Sequence, residues 1–271
     1  MRTVLITGAA GKIGTALRER LPLSGWAIRP FDREPLDGGV QGDITSPSDL
    51  DAAMAGVDAV VHLAGIPTEA PWPAIRAANI DGTFEVFEAS RRAGVRRLVY
   101  ASSNHAVGFT PVTPRLPADT PPRPDTLYGL SKVFGEALGR YYVDRYGMQV
   151  ACLRIGTFED TPPDARALST WLSPDDCARL VDACLRSSEL TYAIVWGVSA
   201  NTRRRWTLDE GHALGYNPQD DAEQFADRVL GGEESPAAGS EGSDDTAGSD
   251  GYVGGGFTSP GFGIDEVVAR S

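Results

Sequence analysis

Tyr128-Gly129-Leu130-Ser131-Lys132 sets a phenol and an ammonium four residues apart. On a helix that spacing puts both groups on one face, a turn from each other, where they can act on a single substrate atom. A phenol with a pKa of about 10 is a poor base at neutral pH, and a neighbouring ammonium favours its phenolate and brings it into a useful range. Taken alone, the pattern also describes a packed tyrosine beside a solvated lysine. Composition weighs toward chemistry: among 25 basic residues only Lys12 and Lys132 are lysine. The second stands where a compact, tunable ammonium serves better than a permanently charged guanidinium.

Upstream, Tyr100-Ala101-Ser102-Ser103-Asn104-His105 closes an apolar run, and strand carboxyl ends are where doubly wound sheets bind ligands. Ser103 is read as the hydroxyl that orients the reacting oxygen, and Ser102 as facing the sheet or the cofactor. A serine pair that only caps a loop is the alternative. Asn104 and His105 are placed to hold substrate hydroxyls. His105 has the pKa of a general base, yet the tyrosine and lysine already supply one. His62, in mid-strand, and His212 read as structural.

A second constellation lies at the N-terminus. Thr7-Gly8-Ala9-Ala10-Gly11-Lys12-Ile13-Gly14 follows one apolar run and opens a helical one, so its backbone N–H groups and the helix dipole can meet a pyrophosphate. Asp32, 24 residues beyond Gly8, can accept hydrogen bonds from both hydroxyls of an adenosine ribose, which favours NAD over NADP. Arg33 keeps the alternative open, because a guanidinium there can accommodate a 2′-phosphate, and Asp32 as a plain turn residue is the bland reading. Gly8, Gly11, Lys12, Ile13, Gly14 and Asp32 are therefore expected at the cofactor. Asp43 and Ile44 near the adenine, Leu63, Ala64 and Gly65 after the third run, and Ile155 are further expected contacts, each equally explicable as turn or packing chemistry. Tyr128 and Lys132 complete this set. No metal is expected.

These groups need a scaffold that brings several strand ends together. From Arg2 to Arg154, short apolar runs alternate with helical periods: Val4-Leu5-Ile6, Trp26 to Phe31, Ala59 to Leu63 and Arg97 to Ala101 are followed by helices, one of them opening near Leu127 after a proline-rich loop. Runs at Gln149 to Leu153 and Tyr192 to Trp196 extend the sheet, with a helix from Pro174 to Arg186 between them, capped by Ser173. The alternation predicts an α/β fold, a doubly wound parallel sheet of Rossmann type, with a small C-terminal substrate-binding portion. The expected division is a single NAD-binding domain over 1–230, with substrate segments 157–173 and 197–229. A Gly/Ser/Asp-rich stretch over 231–251 is read as a disordered tail, and 252–271, with Tyr252, Phe257 and Phe262, as a segment that docks back.

With 37 acidic residues the chain carries a net charge of -12, which repels nucleic-acid phosphates and anionic membrane surfaces. A lysine-poor acidic surface suits a protein adapted to high salt, and a GC-rich genome is the alternative source of the arginine bias. Cys152, Cys177 and Cys184 form no CxxC pair, so disulfide frameworks and zinc sites are unexpected. The sequence enters a strand at once, with no charged-then-apolar leader, and no apolar stretch reaches spanning length. A cytoplasmic protein that binds neither nucleic acid nor membrane is expected.

Taken together, these motifs resemble the extended short-chain dehydrogenase/reductases over about residues 1 to 230. The run Ser102-Ser103-Asn104-His105 narrows the likeness to uronate dehydrogenases and related sugar dehydrogenases. Arg166-Ala167-Leu168-Ser169-Thr170-Trp171-Leu172-Ser173 looks like the segment whose arginine grips the substrate carboxylate, and Val195-Trp196-Gly197-Val198-Ser199 and Gly254-Gly255-Gly256-Phe257 also match. The resemblance implies Ser103, Tyr128 and Lys132 as catalytic and Asn104, His105 and Arg166 as substrate-binding. Two positions depart from it: the serine after Ala64-Gly65-Ile66 is Pro67, leaving Thr68 as a substitute hydroxyl, and the serine after Arg154-Ile155-Gly156 is Thr157, which can still donate. Arg166 is the discriminating residue, since a guanidinium matches a carboxylate bidentately, whereas a surface ion pair is its ordinary reading.

The implied reaction is NAD-dependent oxidation of a hexuronate, glucuronate or galacturonate, at C1 to an aldarolactone. Tyr128 takes the hydroxyl proton, Ser103 holds the developing oxyanion, and Lys132 holds the tyrosine and the nicotinamide ribose. Rival readings are a dehydrogenase of a neutral or 6-phosphorylated hexose, a nucleotide-sugar epimerase or dehydratase, and a non-catalytic NAD-binding protein. The family packs the two helices around Leu130, Phe134, Leu138, Tyr141 and Tyr142 and around Ile80 to Phe87 between subunits, so a homo-oligomer is expected.

Overall fold

Each apolar run becomes a strand and each helical period a helix in the computed structural model, which describes residues 2–231, 251–259 and 262. In chain order the strands are β1 (Thr3–Thr7), β2 (Ala27–Asp32), β3 (Val40–Gln41), β4 (Ala59–His62), β5 (Arg97–Ser103), β6 (Gln149–Ile155), the short β7 (Thr157–Phe158) and β8 (Trp171–Leu172), and β9 (Tyr192–Gly197). The helices are α1 (Lys12–Arg20), α2 (Pro47–Met54), α3 (Trp72–Ile75), α4 (Gly82–Arg92), α5 (Leu127–Tyr146), α6 (Ala167–Thr170), α7 (Pro174–Arg186), α8 (Asp209–Ala213) and α9 (Ala226–Gly231).

Among the described residues seven strands form one sheet in the order β3-β2-β1-β4-β5-β6-β9, every neighbouring pair parallel. The order reverses between β1 and β4, and the crevice outside their carboxyl ends is where such sheets receive ligands. Residues alternate between the two faces, as a period of two requires. Val4, Ile6, Val61, Val99 and Leu153 face one core with Leu17 of α1 and Leu180 of α7. Leu5, Val60, Leu98 and Val150 face the other with Leu50 of α2 and Phe87 of α4. The sequence missed β3, which has only two residues at the sheet edge.

Local chemistry fixes the ends of the helix that matters most. Thr126 Oγ1 accepts from the Gly129 N–H at 2.9 Å to start α5, and Gly147, with φ of 65°, ends it. Ser173 caps α7 by accepting from the Asp176 N–H at 2.9 Å, as the sequence predicts. Between α3 and α4 the chain takes a wider π turn over Arg76–Asp81, which periodicity did not show.

A buried ionic knot ties β6 to α5 and to the proline-rich loop. Arg154 donates to Glu136 Oε1 at 2.9 Å and to Oε2 at 2.8 Å. It also donates to the Ala118 and Thr120 carbonyls at 2.9 and 2.8 Å. Ser102 Oγ completes the knot by donating to Glu136 Oε1 at 2.6 Å, so Ser102 faces the helix rather than the cofactor crevice.

Of the stretch 231–251, residues 232–250 lie outside the described residues, while Gly231 closes α9 and Gly251 stands in a turn. Gly251–Ser259 lies along the loop after β5. The Val112 N–H donates to the Gly251 carbonyl at 2.8 Å, Val253 to Thr110 at 3.0 Å and Gly254 to Gly108 at 2.9 Å. Of the rest of the C-terminal stretch, 260–261 and 263–271 lie outside the described residues.

Candidate active site

The glycine loop sits at the β1–β4 crevice. Gly8 has φ of 71°, and a Cβ there would stand 2.7 Å from the Ala64 backbone N, so only glycine lets the loop pass so close to β4. A Cβ on Gly14 would collide with the Gly8 carbonyl oxygen, so its absence lets α1 pack onto the loop. The first N–H groups of α1 receive no side-chain cap, and no acidic residue occupies its first turn. An uncapped positive helix end beside a glycine-lined surface fits an anionic dinucleotide.

Asp32, at the end of β2, accepts from the Ala10 N–H of this loop at 2.9 Å, which puts its carboxylate beside the loop. Asp43 lies just beyond β3, where the Gly42 N–H donates to the Asp32 carbonyl at 2.9 Å. Its carboxyl is held below the usual range, first by the Thr45 backbone N–H. Ile44 is buried and meets Gly82 at the start of α4. Leu63 and Ala64 follow β4 against Gly8, Gly65 lies against Asn79, and Ile155 closes β6 beside Ser103 of β5. Lys12 reaches away from the loop to Glu159 at 2.6 Å, both exposed.

Next to this crevice the structure gathers Ser103, Tyr128 and Lys132. The Ser103 hydroxyl acts on the Tyr128 phenol so as to favour its phenolate, and Lys132 Nζ lies 5.4 Å from the centre of the Tyr128 ring while donating to the Ala101 carbonyl at 2.8 Å. All three are buried. Asn79, on the π turn, joins them: its Oδ1 accepts from the Ile66 N–H at 2.7 Å, and its Nδ2 donates to Ser131 Oγ at 3.0 Å. Glu69 Oε2 accepts from the Tyr128 N–H at 2.9 Å.

Burial corrects the expected electrostatics. Lys132 was expected to bring the phenol down toward neutrality. Instead, desolvation of the phenolate pushes Tyr128 up to about 12, opposed by the Ser103 hydrogen bond. Desolvation of the ammonium likewise pulls Lys132 down to about 8. Neither group has the water that would stabilise its charged form.

Beneath them His62 is fully buried between Thr7 Oγ1 at 2.8 Å and Thr83 Oγ1 at 3.1 Å. Burial first, then the Lys132 charge, lowers its pKa from 6.5 to about 3. Between those values the unfolded chain binds a proton that the folded one excludes. Stability linked to His62 is therefore intact above about pH 6.5 and is lost as pH falls, by roughly 1.4 kcal/mol per unit. Urea unfolding at about pH 7 and about pH 5 is expected to show that loss in the wild type and to lack it in His62→Asn; equal slopes would refute it.

At the C-terminal segment, Asn104 Nδ2 and Arg166 Nη2 both donate to the Val253 carbonyl, at 3.2 and 2.8 Å. His105 packs its ring 5.9 Å from that of Tyr128 and 4.2 Å from that of Phe257, and its Nδ1 lies 2.8 Å from Asp125 Oδ2. Thr157 Oγ1 meets Thr170 Oγ1 at 2.8 Å, tying β7 to α6. Thr68 lies exposed on the loop after β4. Three strand ends, the start of α5 and the C-terminal segment thus bring polar groups around one space.

The sequence reading missed Asn79, Glu69, Asp125 and Val253. A polar residue inside a helical period was the one signal for Asn79. Glu69 and Asp125 carried none, because turn carboxylates are ordinary.

Residues 4–161 match the NAD dependent epimerase/dehydratase family. The chain is 43% identical over 231 residues to the uronate dehydrogenase of Agrobacterium fabrum, covering 83% of this chain and 87% of that one. It is 39% identical to an NAD-dependent glucose-6-phosphate dehydrogenase of Haloferax volcanii, covering 82% and 95%. A crystal structure of a mutant uronate dehydrogenase from Agrobacterium tumefaciens complexed with NAD superposes with a TM-score of 0.85 at 40% identity, covering 95% of this chain and 97% of that one.

Proposed function

Because the chain belongs to the NAD dependent epimerase/dehydratase family, we propose that it uses its crevice for NAD and oxidises a hexuronate, glucuronate or galacturonate, at C1 to the aldarolactone. The observation that carries this reading is the juxtaposition of Ser103, Tyr128 and Lys132 with Asn104, His105 and Arg166 at the strand ends beside the glycine loop. The uronate dehydrogenases it resembles at 39–43% identity support it.

In this reading Gly8, Gly11 and Gly14 with the start of α1 hold the pyrophosphate, and Asp32 holds the adenosine ribose. The Lys12 backbone with Ile13, Asp43 and Ile44, Leu63 to Gly65 and Ile155 border the dinucleotide, while the Lys12 side chain is turned to Glu159. NAD, when held there, would supply the oxidised nicotinamide as the acceptor of the C1 hydride. Tyr128 removes the proton from the C1 hydroxyl, and Ser103 donates to the oxygen as charge develops on it. Lys132 and Ser131–Asn79 keep the phenol in place. Asn104, His105, Thr157 and Thr68 take substrate hydroxyls, and Arg166 takes the carboxylate.

NADH formation from glucuronate, galacturonate, glucose, glucose 6-phosphate and L-arabinose, assayed in parallel, tests the reading. Uronates are expected to react fastest, and faster turnover of glucose or glucose 6-phosphate would overturn it. Arg166→Ala is expected to lower kcat/KM for the uronate by roughly 10–100-fold through loss of a charge-assisted hydrogen bond, with glucose turnover little changed.

Leu130, Tyr141 and Phe84 are exposed on α5 and α4, which supports a homo-oligomer packed through these helices. Tyr142 does not belong to that face: it is buried, its ring 5.3 Å from that of Phe87. Three buried free cysteines accord with a reducing cytoplasm. Among the described residues no helix is long and apolar enough to cross a membrane. The net charge of -12 with two lysines supports adaptation to high salt and a surface that repels anionic partners.

A further inference from the structure

We propose that Asp125 is a positioning residue that locks His105 in the tautomer whose outer nitrogen accepts a hydrogen bond from the substrate. The proposal deepens the reading above, resting on His105 as a substrate-binding side chain. Its ground is geometric. Asp125 has no exposed side-chain surface and its Oδ2 lies 2.8 Å from His105 Nδ1. A carboxylate oxygen only accepts, so Nδ1 must carry the hydrogen, and in the neutral ring Nε2 is left with a lone pair. Nε2 is on the ring edge away from Asp125, and the ring itself stands between Tyr128 and Phe257.

Asp125 is not simply a helix cap. The first N–H groups of α5 already find Thr126 Oγ1, at Gly129, and Glu69 Oε2, at Tyr128. Instead, the Thr126 hydroxyl donates to Asp125 Oδ1 at 3.0 Å, which ties the carboxylate to the helix that carries Tyr128. The backbone closes round it from three directions. A Cβ on Gly108 or on Gly254 would collide with Asp125 Oδ2, and one on Gly129 would stand 3.1 Å from Oδ1. The loop after β5, the start of α5 and the C-terminal segment all approach this one carboxylate, so its orientation has little freedom.

The consequence is a choice of hydrogen-bond sense. A sugar hydroxyl opposite Nε2 must donate to it, and its own oxygen remains free to accept from another group. With the other tautomer, Nε2 would donate and the hydroxyl would have to accept.

Asn is isosteric with Asp and fits the crowded pocket, yet it replaces an obligate acceptor with a group that can donate. Ring-15N-labelled full-length protein, studied at about pH 9, where an unperturbed imidazole is neutral, reports each tautomer directly. The chain has three histidines, and a His105→Asn spectrum identifies the signals of interest. Wild type is expected to show Nδ1 protonated and Nε2 bare at His105, and Asp125→Asn to gain an Nε2-protonated population. The same variant is expected to raise the uronate KM by roughly tenfold, with the KM for NAD within about twofold. A wild-type His105 protonated mainly at Nε2, or an unchanged uronate KM in Asp125→Asn, would overturn the inference. The wild-type spectrum decides even if the variant does not fold. Failure of wild type to oxidise uronates would instead sink the functional reading and leave the tautomer lock standing.

Discussion

Tyr128→Phe is expected to lower kcat for uronate oxidation by roughly 10²–10⁴-fold, the range over which a positioned general base acts, while NAD binding is retained. The substitution removes one oxygen and keeps the ring. That ring is held by packing that does not need the hydroxyl: His105 lies on one side and the Lys132 ammonium 5.4 Å from the ring centre. Ser103 keeps the His105 N–H as its partner at 3.2 Å, so the variant removes the phenol oxygen without collapsing the site. Tyr128 takes a proton only as its phenolate, a form that burial disfavours, holding the phenol at about 12, and that a neighbouring positive charge favours. Steady-state kinetics combined with an NAD titration checks both halves of the expectation. A fall in kcat with equal loss of NAD affinity would point to a structural role.

The largest effect on stability is expected at the ionic knot. Arg154→Met strands the Glu136 carboxylate in a buried site, and losing one partner of a buried pair costs about 3–5 kcal/mol. The same substitution leaves the Ala118 and Thr120 carbonyls without the donor they have at 2.9 and 2.8 Å, which loosens the loop that leads into α5. Replacing both charges, with Arg154→Met and Glu136→Leu together, removes the stranded carboxylate as well. The double variant is therefore expected to be more stable than Arg154→Met alone. Denaturant midpoints of the three proteins measure this, and a double variant less stable than the single one would refute the account of the knot.

Much of this molecule could be read from its residues because the relevant signals are local. Alternation of apolar runs and helical periods placed six of the seven strands of the main sheet, since period and burial are the same fact seen twice. The glycine loop was legible for a related reason: sharp turns and close approaches leave only glycine. Tyr128 and Lys132 announced themselves by helical spacing and by the scarcity of lysine.

What escaped depends on chain segments far apart in sequence. The Arg154–Glu136 pair spans a helix and a strand, and only the oddity of an arginine inside an apolar strand hinted at it. Asn79 reaches Ser131 across 52 residues through a π turn that no apolar period encodes. The direction of the Tyr128 shift was misread because a neighbouring ammonium is visible in sequence, whereas the loss of water around both groups is not. Tyr142 was counted among the residues that the resembled family packs between subunits, yet it turns inward to Phe87 and donates to Glu88 Oε2 at 2.8 Å.

The central claim is that C1 of a uronate is oxidised directly at the site formed by Ser103, Tyr128 and Lys132, and a label at that carbon tests it most directly. Glucuronate or galacturonate carrying deuterium at C1 is turned over with oxidised NAD, and the reduced nicotinamide is analysed by mass. The account predicts that the deuterium is recovered in the reduced nicotinamide, with slower turnover than for the unlabelled sugar acid when the chemical step limits the rate. Reduced nicotinamide formed at full rate without the label would contradict it.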